Sequence, residues 1–204
     1  MYTGTGVLIL AGGESQRMDQ PKPFLKINGE IFLEKIVNGY LKAGIKTISI
    51  VLNYQLIMNI PENISKNKSV KVIPNFHPEQ GRSYSILIGL KKYIDIDFVF
   101  IHNVDNPFVE KNILDKMCLK KISNGFVVPS FNRKGGHPVL ISKKIILSIL
   151  SRKKGFKPLN EILLNFKRVE VEMDSENILV NVNTWKEYEQ LISNNTIPAE
   201  QKVC

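Results

Sequence analysis

The stretch "LILAGGESQRMDQPK", Leu8–Lys22, decides the fold and raises the question of function. An apolar run typical of a buried strand ends at the glycine pair Gly12 and Gly13, and two basic residues follow, Arg17 and Lys22. Glycines let the backbone approach a phosphate and direct N–H groups at it, and the basic side chains supply full positive charge. The stretch therefore predicts a polyphosphate-binding loop. The alternative is an ordinary turn followed by two solvated cations.

The spacing of this loop excludes two common phosphate-binding motifs. It fits neither the G-x-G-x-x-G pattern of dinucleotide-binding domains nor the G-x-x-x-x-G-K-[ST] pattern of the Walker loop. A polyphosphate site here must belong to another class.

Apolar runs and helical patterns alternate along the chain. Runs such as "TGVLILA", "KTISIVL" and "DFVFIHNVD" are separated by patterns such as "EIFLEKIVNGYLKAG", which ends at a C-capping Gly44. The alternation predicts an α/β fold with three layers, α/β/α, around a mostly parallel, Rossmann-like sheet. The segment "ILVNVN" is predicted as a strand before the last helix. Residues 1–193 are expected to form a single domain, and residues 194–204 a loose tail.

Composition limits the kinds of partner. The 204 residues carry a formal net charge of +9, which suits a protein that handles anions. Basic residues are not interleaved with aromatic residues on one element, so nucleic acid is not an expected partner. The N-terminal apolar run is too short for a signal peptide or a membrane span, and the two cysteines form no disulfide framework. We expect a cytoplasmic protein with no membrane partner.

Two polar residues follow predicted strands and are candidate metal ligands. In such a sheet, ligands bind outside the carboxyl ends of the strands. Asp105 comes directly after the strand "FVFIHNV", where its carboxylate could hold a Mg²⁺ ion, and Asn183 could add a neutral oxygen. The alternatives are structural: Asp105 could cap the helix near Glu110, and Thr184 with Glu187 forms the pattern of a capping box.

His137 and two serines are further candidates at the same edge. His137 stands between two glycines and a proline in "GGHPVLI", at the start of a predicted strand. It is either a contact to a second substrate or a structural histidine in a tight turn. Ser83 and Ser85, in "GRSYS", either cap a helix or face an anion at the N-terminus of that helix.

Several segments together resemble the molybdenum cofactor nucleotidyltransferases, the MobA-like group of the nucleotide-diphosphate transferase fold. They are "LAGGESQRMDQPK", "GRSYSILIGL", "VDNPFV", "GGHPVLI" and "VNVNTWKEYEQL", in family order over roughly residues 7–192. The short separation of Arg17 from Lys22 resembles this group more than the sugar-phosphate nucleotidyltransferases of the same fold.

The resemblance implies a Mg²⁺-dependent enzyme that transfers a nucleotide from CTP or GTP to a molybdopterin-type phosphomonoester and releases pyrophosphate. A molybdoenzyme that receives the product is a further implied partner. Arg17, Lys22 and Asp105 are then the catalytic residues, Asp105 and Asn183 hold the metal, and His137 contacts the acceptor. The implied nucleotide-binding residues are Leu10, Ala11, Gly12, Gly13, Ser15, Arg17, Lys22, Ser83 and Ser85.

The chain also departs from the pattern of this group. Asp19 replaces a glycine, Arg82 replaces a methionine, and "NVNT" replaces "DIDT". The base is indicated in two directions: "LAGG" at Leu10–Gly13 accompanies guanine in the family, whereas "GRSYSILIGL" and "GGHPVLI" resemble the cytidylyl branch. Because the latter motifs span more of the chain, we predict CTP, with GTP as the alternative.

Two other functions remain open at this stage. The first is a nucleotidyltransferase that acts on a sugar phosphate or an alcohol phosphate. The second, from a different class, is a non-catalytic carrier that binds a nucleotide or cofactor. Release of pyrophosphate distinguishes the enzymes from the carrier.

Overall fold

The computed structural model describes residues 1–13, 18, 20–152, 155 and 157–195. Within them the strands are β1 Thr5–Ala11, β2 Lys26–Ile27, β3 Glu30–Ile31, β4 Ile48–Asn53, β5 Val70–Asn75, β6 Phe98–Asn103, β7 Gly125–Phe131, β8 Lys134–Gly135, β9 Val139–Ser142 and β10 Lys167–Glu172. The α-helices are α1 Phe32–Ala43, α2 Glu62–Ser65, α3 Gly81–Leu90, α4 Lys111–Leu119, α5 Lys143–Leu150, α6 Leu159–Leu163 and α7 Trp185–Asn195. Short 3₁₀ helices cover Lys22–Phe24, Tyr54–Asn59, Pro78–Gln80 and Glu176–Leu179.

One eight-stranded sheet forms the centre of the molecule. Its order is β10-β7-β9-β6-β1-β4-β5, with β8 paired to β7. The neighbours β6, β1, β4 and β5 run parallel, as do β7 and β10, and β9 is antiparallel to both of its neighbours. The prediction of a mostly parallel α/β sheet is confirmed.

Both faces of this sheet are buried against helices. In β1 the side chains of Val7 and Ile9 pack in a cluster with residues of α1 and α4, whereas Leu8 and Leu10 pack in a cluster with residues of α3, α5 and α6. Successive side chains of a strand point to opposite faces, so the continuous apolar run of β1 covers both layers. The molecule therefore has the predicted three layers.

A small third cluster joins the first loop to the last helix. Leu25, Ile27 and Phe32, from the β2–β3 region, pack against Val182 and Leu191 near and within α7. In addition, the hydroxyl of Tyr188 donates to the carbonyl of Lys26 at 2.7 Å. The cluster brings the chain just after Lys22 next to the chain around Asn183, although these segments are distant in sequence.

The segment "ILVNVN" is not a strand, and this prediction is wrong. Its first two residues are the end of the 3₁₀ helix Glu176–Leu179, and its backbone groups form hydrogen bonds with individual loops instead of a neighbouring strand. The carbonyl of Ile178 accepts from the amide of His137 at 2.8 Å, and the amide of Val182 donates to the carbonyl of Asp105 at 2.9 Å. The apolar residues are buried as the strand pattern requires, but in an irregular connection.

Helix ends largely follow the sequence signals. Gly44, at φ 97°, caps α1, and Thr184 and Glu187 form the capping box before α7. Helix α7 continues through Asn195, beyond the expected boundary at residue 193, and the remainder of the expected tail, residues 196–204, lies outside the described residues. In the part of the chain that the structure describes, no helix is both long and apolar enough to cross a membrane.

Candidate active site

A cleft of about 580 Å³ opens at the carboxyl edge of the parallel strands. The residues that line it come from the ends of β1 and β6, the start of α3 and the segments that carry Lys22 and Asn183. The described lining residues are Leu10, Ala11, Gly12, Gly13, Lys22, Pro23, Pro78, Glu79, Gly81, Arg82, Ser85, Asn103, Val104, Asp105 and Asn183.

Gly12 is packed tightly against two polar side chains. The buried Asn75 donates from Nδ2 to the carbonyl of Gly12 at 3.2 Å and to Oγ of Ser85 at 3.3 Å. A methyl group on Gly12 would lie 2.8 Å from Oγ of Ser85 and 3.0 Å from Nδ2 of Asn75. Because position 12 has no side chain, Asn75 and Ser85 can pack directly against its backbone.

Lys22 and Asn183 contact each other in the lining of the cleft. The ammonium of Lys22 donates to Oδ1 of Asn183 at 2.8 Å. Oε2 of Glu187 accepts from the amide of Asn183 at 2.7 Å and from the amide of Thr184 at 2.8 Å, so the capping box also fixes the backbone of Asn183. The structural role predicted for Thr184 and a site role for Asn183 are thus compatible.

Asp105 presents an unsatisfied carboxylate to this cleft. Its Oδ1 is shielded from solvent and accepts no hydrogen bond from any described residue. Burial raises the pKa of the Asp105 carboxyl above its ordinary value, and the charges of Lys22 and Arg82 oppose that rise. Asp105 does not cap a helix, because the N-cap of α4 is Glu110 and the helix begins at Lys111. The capping alternative for Asp105 is therefore wrong.

A largely buried hydrogen-bond network supports the chain that carries Asp105. His102 contacts the hydroxyl of Tyr40 through Nδ1 at 2.8 Å and the carbonyl of Asn106 through Nε2 at 2.7 Å. Asn106 donates from Nδ2 to the carbonyl of Asn177 at 2.9 Å and accepts from the amide of Phe108 at 3.0 Å. Burial lowers the pKa of His102 to about 4, so the imidazole is neutral at pH 7.

His137 lies next to the cleft lining but is not part of it. Its Nε2 is 3.3 Å from Nδ2 of Asn103, a lining residue, and its Nδ1 is buried without a partner among the described residues. Burial, followed by the positive charge of Arg82, lowers the pKa of His137 to about 4. The side chain is therefore neutral at pH 7 and has one ring nitrogen unsatisfied.

Comparison with known proteins identifies the family of this chain. Residues 7–168 match the MobA-like NTP transferase domain, and this match covers the cleft except for Asn183. The chain belongs to the MobA-like NTP transferase domain family. A probable molybdenum cofactor guanylyltransferase from Clostridium perfringens is 29% identical over 93% of this chain and 96% of that protein.

Two further proteins are similar to this chain. A 2-C-methyl-D-erythritol 4-phosphate cytidylyltransferase from Thermosipho africanus is 33% identical over 53% of this chain and 50% of that protein. The structure of a Methanothermobacter nucleotidyl transferase superimposes with a TM-score of 0.76 at 20% identity, over 93% of this chain and 96% of that chain, which shows a shared fold. The chain is a nucleotidyltransferase of the type to which these relatives belong.

The structure brings most of the residues suggested by the sequence to one place. Leu10, Ala11, Gly12, Gly13, Lys22, Ser85, Asp105 and Asn183 all line the cleft of this MobA-like domain. Ser15, Arg17 and Asp19 lie outside the described residues.

Ser83 is not among the described residues that line the cleft, whereas Ser85 is. Residues two apart on a helix point to different sides, so only one of the two serines can face the cleft. Neither serine caps α3, whose N-cap is Gln80 and has no side-chain hydrogen bond, so the capping alternative is wrong.

Three residues at this site have no role in the sequence-based prediction. Arg82 was noted only as a departure from the family motif, although it lines the cleft. Asn103 lines the cleft beside His137, and Asn75 supports Gly12 from behind. The register of the sheet could have suggested Asn103, because it ends β6 beside Leu10 of β1.

The oxygen atoms at the cleft fit a divalent cation that keeps most of its water. Asp105 supplies an unsatisfied carboxylate, and Asn183 supplies an amide oxygen that Lys22 now contacts. Among the described residues no group of three or more His, Cys, Asp or Glu side chains could hold a metal. The site is thus suited to an ion shared with phosphate oxygens and not to an all-protein cage.

Proposed function

We propose that this enzyme transfers a nucleoside monophosphate from GTP or CTP to the phosphate of a molybdopterin-type acceptor and releases pyrophosphate. One observation carries the proposal. Lys22, Asn183 and the unsatisfied carboxylate of Asp105 surround the same cleft as the glycine pair Gly12 and Gly13. This combination suits a bound polyphosphate, because it offers backbone N–H groups, a cation and a metal ligand.

The reaction requires charge neutralisation more than proton transfer. An oxygen of the acceptor phosphate attacks the α-phosphorus, a new P–O–P bond forms, and the bond from the α-phosphorus to the bridging oxygen breaks as pyrophosphate leaves. A phosphomonoester is already ionised at pH 7, so no general base is needed. The neutral state of His137 is consistent with this, because the side chain is not required to carry a proton through the reaction.

Lys22 is proposed to stabilise the triphosphate and the developing charge on pyrophosphate. In the structure its ammonium donates to the amide oxygen of Asn183, which carries no charge. A phosphate oxygen carries a formal charge and forms a stronger, charge-assisted hydrogen bond with an ammonium. We therefore expect the Lys22 ammonium to turn from Asn183 to the nucleotide when the nucleotide binds.

Asp105 and Asn183 are the residues that would hold Mg²⁺. The ion would supply positive charge to the phosphate oxygens and orient them. The turn of Lys22 described above frees the amide oxygen of Asn183 for this role. Arg17, which lies outside the described residues, remains a proposed third source of positive charge.

We propose GTP ahead of CTP, which reverses the preference drawn from the two longer motifs. The structure gives Gly12 more weight than motif length alone, because Asn75 and Ser85 occupy the space that a methyl group at this position would need. The relative that matches nearly the full chain is also named a guanylyltransferase, whereas the cytidylyltransferase matches about half of it.

An acceptor other than molybdopterin is the second candidate. It is favoured by the half-length similarity to an enzyme named for 2-C-methyl-D-erythritol 4-phosphate. A non-catalytic carrier has no comparable support, since these relatives carry the names of enzymes.

The test is a pyrophosphate-release assay with purified protein and Mg²⁺. All four nucleoside triphosphates are supplied in turn with molybdopterin and with a panel of sugar and alcohol phosphates. The proposal expects release only with molybdopterin and a kcat/KM for GTP at least about tenfold above that for CTP, because a buried mismatch of hydrogen-bonding groups discriminates strongly. A preference for a sugar or alcohol phosphate would replace the acceptor, and no release with any pair would overturn the proposed function.

A further inference from the structure

Arg82 is a cation within the cleft that the reaction described above does not use. It stands at the start of α3 and lines the cleft together with Asp105. Across residues 1–13, 18, 20–152, 155 and 157–195, no side chain or backbone group forms a hydrogen bond or ion pair with the Arg82 guanidinium. In this it differs from Lys22, which donates to Asn183.

The position of Arg82 relative to the sheet is informative. Helix α3 packs on β1 and β4, yet the charge of Arg82 acts on Asp105 at the end of β6 and on His137 just before β9. In the sheet, β6 lies between β1 and β9. Arg82 therefore lines the cleft close enough to both Asp105 and His137 for its charge to act on them.

The polar groups in and beside the cleft form two sets that suit two different anions. Gly12, Gly13 and Lys22 are the groups proposed for the triphosphate. The groups not assigned to it are Arg82, which lines the cleft, and His137, whose Nε2 is 3.3 Å from the lining residue Asn103 and whose Nδ1 has no partner among the described residues. In-line attack requires the acceptor oxygen to approach the α-phosphorus from the side opposite the leaving pyrophosphate.

We propose that Arg82 binds the phosphate of the acceptor and positions it for attack. This inference rests on the proposed function and specifies the acceptor subsite of the same cleft. A guanidinium can donate two parallel hydrogen bonds to a phosphate, which fixes the direction of the oxygen as well as neutralising its charge. The acceptor class follows: a phosphomonoester dianion is bound, and an uncharged alcohol is not.

The chain offers well-matched variants for a test. Arg82→Met places at this position the residue that the resembling motif carries and removes the guanidinium. Lys91→Met removes one positive charge from the exposed end of the same helix, outside the cleft, and controls for net charge. Arg82→Lys keeps the charge but loses the bidentate geometry.

The experiment uses inorganic phosphate as the probe of the acceptor subsite. Isothermal titration calorimetry first measures binding of a non-hydrolysable GTP analogue with Mg²⁺, and phosphate is then titrated into the nucleotide-saturated protein. The proposal expects phosphate affinity to fall about tenfold or more in Arg82→Met, to fall less in Arg82→Lys and to be unchanged in Lys91→Met. Affinity for the GTP analogue should stay within about twofold in all three variants.

The outcomes separate this inference from the proposed function. Equal phosphate affinity in wild type and Arg82→Met would overturn the role of Arg82, and so would absence of phosphate binding in the wild type. A loss confined to the GTP analogue would also overturn it, since Arg82 would then belong to the triphosphate side. If wild type binds no nucleotide, the proposed function fails, and titrating phosphate into the nucleotide-free variants still tests the Arg82 site alone.

Discussion

Asp105 and Asn106 are neighbours in sequence, yet their side chains differ in hydrogen bonding. Asn106 is 1% exposed, and each end of its amide has a partner, the carbonyl of Asn177 and the amide of Phe108. Asp105 faces the cleft with a buried oxygen that has none among the described residues. Asn106 holds the loop in place, and Asp105 keeps a carboxylate oxygen available for a ligand.

The difference predicts opposite results of mutation. A buried polar group without a partner lowers stability, and such groups persist in proteins where a ligand satisfies them. Removing the Asp105 carboxylate should therefore harm activity and leave stability intact. Removing the Asn106 amide should harm stability first.

The largest expected effect is on turnover in Asp105→Asn. The substitution keeps the shape of the side chain and removes the charge that would hold the metal. We expect kcat in a pyrophosphate-release assay to fall by about three orders of magnitude or more. Turnover within about tenfold of wild type would place the catalytic charge elsewhere.

Lys22→Ala should have the next largest effect. Loss of one preorganised cation at the phosphates is expected to lower kcat by about two to three orders of magnitude. Lys26→Ala is the matched control, because Lys26 is exposed and meets Tyr188 only through backbone atoms. The same assay should show near wild-type turnover for the control, and similar losses in both variants would argue against a specific role for Lys22.

Asn106→Ala should lower stability more than turnover. It leaves the amide of Phe108 without its partner and removes one of the two hydrogen bonds to the carbonyl of Asn177, which keeps the amide of Val180, and this costs about 1–3 kcal/mol of unfolding free energy. Denaturant unfolding measures this change, and Asn181→Ala, at an exposed asparagine, should change stability by less than about 0.5 kcal/mol. Equal stability of the two variants would mean that the buried network does not support the loop.

The pH dependence of stability sharpens the same comparison. His102 is fully buried and its pKa is lowered to about 4, below the ordinary value of 6.5. Between these two pKa values the unfolded chain binds a proton that the folded chain does not bind. The contribution of neutral His102 to the unfolding free energy is therefore fully present above about pH 6.5 and is lost as pH falls towards 4. We expect the unfolding free energy to fall by about 2 kcal/mol between pH 7 and pH 5 through this residue. Stability that stays constant or rises over that interval in Asp105→Asn, where the opposing carboxyl is absent, would contradict this account.

Much of the frame follows from local signals in the sequence. The run "TGVLILA" predicts β1 to the residue, and "KKIILSIL" does the same for α5, because apolar continuity and helical spacing are properties of the segments themselves. The β2–β3 hairpin was missed because two-residue strands have no measurable period. The segment "ILVNVN" was predicted as a strand because its apolar residues form the pattern of a buried strand. They are in fact buried in an irregular connection.

The site was less accessible to sequence reasoning because it depends on contacts between distant segments. The carboxyl-edge rule pointed to Asp105 and Asn183, and the glycine-rich loop pointed to Lys22. No local pattern shows that Asn75 would close on Gly12. A single arginine at a helix start is most simply interpreted as a solvated charge, so the place of Arg82 in the cleft emerges only from the structure.

The most direct test of the central claim is the unfolding free energy of Asp105→Asn, with and without GTP and Mg²⁺. Burial raises the pKa of Asp105, so the ionised carboxylate lowers stability at neutral pH, and this effect disappears as pH falls through its folded-state pKa. Without ligand, Asp105→Asn should be at least as stable as wild type, and GTP with Mg²⁺ should stabilise wild type and Asn106→Ala but not Asp105→Asn. A marked loss of stability in unliganded Asp105→Asn, or stabilisation by the ligand equal to that of wild type, would contradict the claim that Asp105 is held unsatisfied for the nucleotide and its metal.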